Sequence, residues 1–139
     1  MAGSHQLCNA SVADAIELQE KDSVVVLHRL RTGNREPVVF SVNYFPLELI
    51  KDPHLFDAFT GSLLGFIERH LQTSIVFADT EITVPNAQDP FLSRLFASPS
   101  LPIMLLQQVH DNAFNTPLFY SLDYVRNDIF TFHLRRSRG

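Results

Sequence analysis

Two strand-like runs separated by a short polar turn constrain the fold more than any other feature. The first, SVVVLHRLRT at residues 23–32, has four consecutive aliphatic residues after its serine. The second, PVVFSVNYF at residues 37–45, is rich in β-branched and aromatic residues and begins with a proline, which suits the first residue of a strand. Gly33 and Asn34 between them tolerate the positive φ values of a tight turn. The sequence therefore predicts an antiparallel hairpin.

The first strand carries two arginines on one face. Because side chains alternate across a strand, Arg29 and Arg31 project to the same side, ~7 Å apart along the strand. Two guanidinium groups at this spacing can hold one anion, since each donates parallel hydrogen bonds to a phosphate or carboxylate. The alternative is that both arginines are exposed or bridged to acids on a neighbouring strand, and spacing alone favours that alternative.

Strands outnumber helices along the rest of the chain. Helices are predicted at residues 11–22 with Ser11 as N-cap, at residues 60–72 with Thr60 or Ser62 near the start, and at residues 89–99 with Asp89 as N-cap. Further strands are predicted at residues 74–87, 102–114, 117–127 and 128–136. The fold class that follows is α+β, a mainly antiparallel sheet with helices packed on it.

Length and composition narrow the class of protein. A chain of 139 residues fits one domain, and a net charge of −4 gives no electrostatic footprint for nucleic acid. The single cysteine excludes an internal disulfide and fits a reducing compartment. No apolar run approaches the ~20 residues of a membrane span, and the first residues lack the apolar segment of a signal peptide. We therefore expect a cytoplasmic protein with no membrane partner.

No motif in the sequence predicts catalysis. The six histidines lack zinc-ligand spacing, and no glycine-rich phosphate loop or nucleophile elbow is present. We therefore predict no catalytic residue, no metal ligand and no cofactor. Ser62 is of interest because a helix start has free N–H groups and the positive end of the helix dipole, although plain N-capping is the more frequent role. Arg29, Arg31 and Ser62 can form an anion pocket if the fold brings them together.

Three stretches resemble the UTRA domain, the effector-binding half of GntR-type bacterial transcription regulators of the HutC subfamily. VVVLHRLRTGNREPVVFSVNYFP resembles the opening hairpin of that family, with its R-x-R strand, polar turn and aromatic, apolar, proline ending. GSLLGFIERH resembles the family's serine-bearing helix start. The segment from residue 101 to residue 136 resembles the closing strands, with a Y-x-R-G-D-like corner at residues 124–128. On this basis we expect a tag-like or disordered start at residues 1–9, the domain at residues 10–136 and a tail at residues 137–139.

The resemblance implies a chorismate-lyase-like fold that senses a small anionic metabolite in a cleft and is not an enzyme. It implies a homodimer, and operator DNA as a partner through an N-terminal winged helix-turn-helix, for which we expect no room before Ser11. In relatives that sense sugar phosphates, the positions matching Arg29, Arg31 and Ser62 hold the anion. This agreement with the physical argument favours the anion pocket over two exposed arginines.

Two departures from the family pattern concern the ligand. Ser41 and Phe119 stand where the family often has acids that bind ligand hydroxyls, so the resemblance favours an anion with an apolar or aromatic body over a polyhydroxylated sugar. The predicted ligand-binding residues are Arg29, Arg31, Ser41, Ser62, Phe119 and Tyr124 of the corner motif.

Two other functions stay open at this point. A chorismate-lyase-like enzyme acting on a carboxylate substrate would need an acid or base in the pocket. A dimerisation module that has lost its ligand would have an occluded cleft, or arginines bridged to protein acids.

Overall fold

One antiparallel sheet of six strands organises the chain in the computed structural model, which describes residues 3–59, 61–94, 101–133, 135 and 137. The strands are β1 (Gly3–Leu7), β2 (Ser23–Gly33), β3 (Glu36–Pro46), β4 (Phe77–Thr83), β5 (Ile103–Asp111) and β6 (Pro117–Arg126), in the spatial order β1-β2-β3-β6-β5-β4. The helices are α1 (Ala10–Ala15), α2 (Leu47–Ile50) and α3 (Leu63–Leu71), with short 3₁₀ turns at Pro53–Ala58 and Pro90–Arg94. The predicted α+β class is confirmed. None of the helices in these ranges is long and apolar enough to cross a membrane.

The predicted hairpin is formed by β2 and β3. Its turn places Asn34 and Arg35 at φ values of 51° and 65°, one residue later than the predicted Gly33-Asn34 pair. Two successive residues at positive φ are typical of the turns that match the twist of paired strands. In the resulting register Arg29 lies opposite Ser41, and a β-bulge follows Arg31.

The two faces of the sheet bury separate apolar clusters. One face packs against α1 and the Pro90–Arg94 turn, and its core includes Val24, Val26, Phe40, Val42 and Tyr124. The opposite face packs against α2, α3 and the Pro53–Ala58 turn, and its core includes Val25, Leu27, Phe45, Phe56, Phe66 and Phe119. On this second face the aromatic rings of Phe45 and Phe119 stack at 4.8 Å between centroids. Phenylalanine therefore forms the centre of the core, as its abundance in the chain suggests.

The segment predicted as a tag-like or disordered start forms β1 where it is described. Its residues pair antiparallel with β2, Gly3 opposite Leu27 and Leu7 opposite Ser23. Gly3 lies so close to its neighbours that an added Cβ would be 2.7 Å from Val25 Cγ1. The expectation of disorder is corrected for residues 3–7, because the free edge of β2 supplies partners for their backbone N–H and C=O groups. The domain boundaries at residues 10 and 136 stay predictions.

The first helix begins earlier and ends sooner than predicted. Asn9, not Ser11, is the N-cap, and its side chain accepts a hydrogen bond from the Val12 backbone N–H at 3.0 Å. The helix stops at Ala15, because Glu17 takes a left-handed φ of 58° that a helix cannot continue through. For the third predicted helix, residues 95–99 lie outside the described residues. Its described part is a 3₁₀ turn with Asp89 accepting a hydrogen bond from Phe91 N–H at 2.9 Å.

The strand predicted at residues 128–136 is not formed in the described part of that segment. β6 already has β3 on one side and β5 on the other, so a strand that follows it has no free partner beside it. The chain turns instead, and Phe130 N–H donates to Arg126 C=O at 3.0 Å. Arg126 holds this corner by donating to Asp128 at 2.7 Å and to Glu36 at 3.3 Å. Leu134 and Arg136 lie outside the described residues.

The stacked phenylalanines should dominate stability. Phe45 is fully buried and contacts the rings of Phe56 and Phe119. We expect Phe45→Ala to lower the free energy of unfolding by about 3–5 kcal/mol, because it leaves a cavity at the centre of the core. Urea denaturation followed by circular dichroism measures the change. Phe114→Ala is the matched control, since Phe114 is 88% exposed and should leave stability unchanged; equal effects of the two variants would contradict the assignment of the core.

Candidate functional site

An open cleft of about 860 Å³ lies on the α3 side of the sheet. Strands β2, β3, β6 and β5 form its floor, and the start of α3 forms one wall. The segment from Phe130 to Phe132, which follows the Arg126 corner, contributes to its lining. Of the six predicted ligand-binding residues, five line this cleft: Arg29, Arg31, Ser41, Ser62 and Phe119.

The register of the sheet arranges the cleft floor in rows that run across the strands. One row runs from Leu27 through Asn43 and Ser121 to Gln108. The next row runs from Arg29 through Ser41 and Asp123 to Leu106. The helices cover the apolar row beside these, which contains Phe45 and Phe119. The polar side chains of the two rows line the cleft beside this apolar row.

Arg29 is half-buried at one side of the floor. Its Nε donates a 3.0 Å hydrogen bond to Asn43 Oδ1, and Asn43 in turn donates to Ser121 Oγ at 2.7 Å. Burial lowers the pKa of Arg29, and the nearby Arg31 lowers it further while Asp123 raises it. An arginine remains charged despite such a shift, because its ordinary pKa is so high. Within the described part of the chain no carboxylate forms a salt bridge with Arg29 or Arg31. Asp123 therefore acts on Arg29 from a distance, without a salt bridge between the two side chains.

Arg31 and Ser62 complete the cationic side of the cleft. Arg31 is exposed on the same strand face as Arg29. Ser62 is the N-cap of α3, as predicted, and its Oγ accepts a 3.3 Å hydrogen bond from Gly65 N–H. That interaction uses the hydroxyl as an acceptor and leaves its proton for another partner. Gly61, which also lines the cleft, has φ of +81°, a conformation that glycine adopts without strain.

A carboxylate lies in the middle of the cleft floor, at Asp123. Its Oδ1 accepts a 2.5 Å hydrogen bond from Ser41 Oγ, and its Oδ2 accepts one of 2.6 Å from Gln108 Nε2. Each carboxylate oxygen has two lone pairs, so both atoms can accept a further hydrogen bond. Ser41, predicted to replace a family acid, therefore acts here by orienting a different acid.

His110 lies opposite Phe119 on β5 and is almost completely buried, with 8% of its surface exposed. Its ring stacks on Phe119 with centroids 4.1 Å apart and planes inclined by 12°. Burial lowers the pKa of His110, which Asp123 raises and Arg29 lowers further. Phe119 itself is fully buried, with the imidazole of His110 stacked on its ring. Its ring is therefore not accessible to a ligand in the cleft.

Tyr124 does not belong to the cleft. Its side chain is on the opposite face of the sheet, where its hydroxyl donates a 2.6 Å hydrogen bond to Asp89 Oδ2. Burial and this contact raise the pKa of the phenol. The assignment of Tyr124 to the ligand site is therefore corrected. Alternation gives the reason, because Tyr124 is an odd number of positions along the strand from Phe119.

Sequence reasoning missed five polar cleft residues that the sheet brings together: Asn43, Gln108, His110, Ser121 and Asp123. Alternation from Phe119 would have placed Ser121 and Asp123 on the cleft face, and alternation from Ser41 would have placed Asn43 there. No comparable signal indicated Gln108 and His110, because their position depends on which strand pairs with β6. No group of three or more His, Cys, Asp or Glu residues in the described ranges is arranged to hold a metal ion.

Comparison with known proteins identifies the family. The sequence model of the UTRA domain matches residues 4–131, which is most of the chain. The chain belongs to the UTRA domain family. A curated relative, the HTH-type transcriptional regulator GgaR of Escherichia coli K12, is 25% identical over 126 residues. The aligned region is 90% of this chain but 49% of GgaR, so the chain spans about half the length of that relative.

Solved UTRA-like structures share the fold. The C-terminal domain of PhnF superimposes with a TM-score of 0.84 and 23% identity, over 98% of this chain and 86% of that one. The ligand-binding domain of a GntR-family regulator from Bordetella bronchiseptica gives a TM-score of 0.81 with 21% identity, over 100% of this chain and 88% of that one. These neighbours confirm the predicted chorismate-lyase-like fold class.

The burial of His110 should make the protein less stable at low pH. Because the folded protein holds a proton on His110 less readily than the unfolded chain, the unfolded state takes up more protons as pH falls through the ordinary histidine pKa of 6.5. The free energy of unfolding should therefore decline between about pH 7 and about pH 5, and less steeply in His110→Gln. His28, whose pKa burial also lowers, accounts for part of the remaining decline.

Urea denaturation at each pH measures this dependence. His133→Gln is the control, because it replaces an exposed histidine in the same way. The comparison shows whether a change of slope is specific to the buried His110. An unchanged slope in His110→Gln would show that His110 does not titrate differently in the folded and unfolded states.

Proposed function

We propose that this chain is the effector-binding domain of a GntR-type transcription regulator of the HutC subfamily, and that it binds a small anionic metabolite in the cleft. The observation that carries the proposal is the pair of cleft-lining arginines with no bridging carboxylate among the described residues. Arg29 is preorganised by its hydrogen bond to Asn43, so little side-chain entropy is lost when it binds an anion. Arg31 and the Ser62 hydroxyl supply further donors on the same side.

The open cleft argues against a dimerisation module that has lost its ligand, because such a domain would have a filled cleft or neutralised arginines. The chorismate-lyase-like enzyme needs an acid or base in the pocket, and Asp123 and His110 are present there. The regulator is nevertheless favoured, since the curated relative and the structural neighbours are transcription regulators.

Operator DNA is proposed as the partner of the whole regulator, not of this domain. The net charge of −4 offers this chain no cationic surface for DNA, whereas the relative GgaR is described as an HTH-type regulator of about twice the matched length. The effector would act by a population shift. It must bind one arrangement of the regulator more tightly than the other, because a ligand with equal affinity for both changes nothing. The site of action would be the cytoplasm, where operator DNA lies.

The anion site can be tested with a panel of phosphate and carboxylate metabolites in a thermal-shift screen, followed by calorimetry of any compound that raises the melting temperature. Arg29→Ala should weaken binding by about 10–100-fold, because a charge-assisted hydrogen bond is worth about 1.5–3 kcal/mol. Arg69→Ala is the matched control: Arg69 is an exposed arginine on α3 that does not line the cleft. Undiminished affinity in Arg29→Ala would remove Arg29 from the site.

A homodimer is proposed on the basis of the sheet edge at β4. This strand has β5 on one side only, and Phe77 and Ile82 are each 49% exposed along it. An unpaired edge with exposed apolar side chains is stabilised when a second chain covers it. Light scattering during gel filtration should give about twice the 15.8 kDa chain mass. Ile82→Lys should shift the protein toward the monomer, and a monomeric unaltered protein would contradict the proposal.

A further inference from the structure

A second concave surface lies on the face of the sheet opposite the cleft, between α1, the Pro90–Arg94 turn and strands β3, β4, β5 and β6. It consists of two adjoining cavities of about 530 Å³ and about 300 Å³, whose linings share Ser11, Gln107 and Tyr120. We call this surface the acidic groove, because four carboxylates line it: Asp14, Asp79, Glu81 and Asp89. No lysine or arginine is among the described residues that line it, so its electrostatic potential favours a cation.

The acids of the groove are not neutralised by protein cations. None of them forms a salt bridge with another described residue. Asp89 accepts hydrogen bonds from the Tyr124 hydroxyl and the Phe91 backbone N–H, which are both neutral groups. Asp79 and Glu81 are exposed on the edge strand β4. Exposed acids are ordinarily solvated by water, so their exposure does not by itself indicate a ligand.

A buried carboxylate beside these acids, that of Asp111, does indicate one. Asp111 is 8% exposed, and its Oδ1 has no hydrogen-bond partner among the described residues. In the β4–β5 register it continues the alternation from Val109, which lines the groove, so its side chain is on the same face as Asp79. Burial raises the pKa of Asp111, and the charges of Asp79 and Glu17 raise it further. A buried carboxylate among other acids is costly, and a cation that donates hydrogen bonds removes both costs.

Tyrosine rings lie between the acids at the two ends of the groove. The ring centroids of Tyr44 and Tyr120 are 6.1 Å apart, and the Tyr120 hydroxyl accepts a 3.3 Å hydrogen bond from Gln107 Nε2. Tyr44 is half-buried, so part of its ring is accessible from the groove. A tyrosine ring attracts an ammonium and also provides apolar surface for methylene groups. The middle of the groove therefore suits an alkyl chain that carries positive charge.

The register of the sheet gives the length of the groove. Asp79 lies in one row with Val109 and Tyr120. Tyr124, whose hydroxyl contacts Asp89, is four residues further along β6. Four residues of a strand span about 13 Å, so acids lie at both ends of a long groove. A compact cation reaches one end only, whereas a linear polyamine, with ammonium groups along a flexible methylene chain, reaches both.

We propose that the acidic groove binds a linear polyamine, with one terminal ammonium beside Asp79 and Asp111 and the other beside Asp89. Tyr44 and Tyr120 contact the methylene chain between the two ends. The groove and the anion cleft are on opposite faces of the sheet, so this site does not depend on the proposed anion site. It gives the domain a second small-molecule ligand, opposite in charge to the first.

Four cationic probes test the groove by calorimetry with the full chain, in about 0.15 M salt to screen exposed charges. Diaminooctane carries an ammonium at each end of a long chain, diaminobutane carries both on a chain of half the length, and aminooctanol carries a single ammonium. Mg²⁺ is a compact cation with the charge of the diamines. Diaminooctane should bind at least about tenfold more tightly than aminooctanol, because its second ammonium forms a further charge-assisted hydrogen bond. It should also bind more tightly than diaminobutane and Mg²⁺, which cannot reach both ends.

Removing the charges at one end should remove most of the preference for diaminooctane over aminooctanol. The double variant Asp79→Asn, Asp111→Asn does this while keeping the shape of both side chains. Asp79→Asn alone changes an exposed residue and should reduce the preference in part. The control with the same loss of charge is Glu48→Gln, Asp57→Asn, since both acids are exposed on the helical segments of the other face. Melting temperatures without probe establish that each variant is folded.

Several outcomes would overturn the polyamine site. Equal affinities of diaminooctane and aminooctanol would exclude contact with both ends, and equally tight binding of Mg²⁺ would show a general attraction of cations. A preference that persists in the folded double variant, or an equal loss in the control, would place the charges elsewhere. If the double variant does not fold, the comparison of Asp79→Asn with the unaltered protein decides, and an unchanged preference there overturns the site.

Discussion

The pairing of β3 with β6 is the interaction on which the rest of the structure depends. These strands are far apart in sequence, yet their register sets Ser41 opposite Asp123 and Asn43 opposite Ser121. The two hydrogen bonds that follow, Ser41 to Asp123 and Asn43 to Ser121, join the cleft floor across both strands. A slip of one residue would turn every side chain of one strand to the other face. The same pairing stacks Phe45 on Phe119 in the core, so stability and binding geometry share one register.

The cleft combines opposite charges without joining them. Arg29 is held by the neutral Asn43, and Asp123 is held by the neutral Ser41 and Gln108. Direct pairing of arginine and aspartate would satisfy both and leave nothing for a ligand. Because neutral side chains fill the space between them, each charge stays oriented and unneutralised in a partly dehydrated site, where its interaction with a ligand is stronger than in water. Preorganisation of this kind is what a receptor site requires.

Much of the fold could be predicted from local pattern, and the failures have identifiable causes. The β2–β3 hairpin, the start of α3 at Ser62 and the position of both arginines on the cleft face follow from turn chemistry, capping and alternation. The strand expected after Asp128 failed because both sides of β6 were already occupied. Residues 3–7, in a segment without a strong pattern, formed a strand because the edge of β2 was free. The assignment of Tyr124 to the cleft was wrong, although alternation along the strand already placed its side chain on the face opposite that of Phe119.

The sequence by itself determined which side chains share a face on each strand, because alternation is a local property of extended backbone. It also determined that two arginines and a helix-capping serine were available for an anion. Only the tertiary structure decided that β6 lies between β3 and β5, which brings Asp123, Gln108 and His110 to the same floor as Arg29. Strand order depends on long-range burial and backbone pairing, summed over the whole sheet, and no short stretch of residues encodes it. The charge at the centre of the cleft is therefore a property of the folded chain, not of any motif in it.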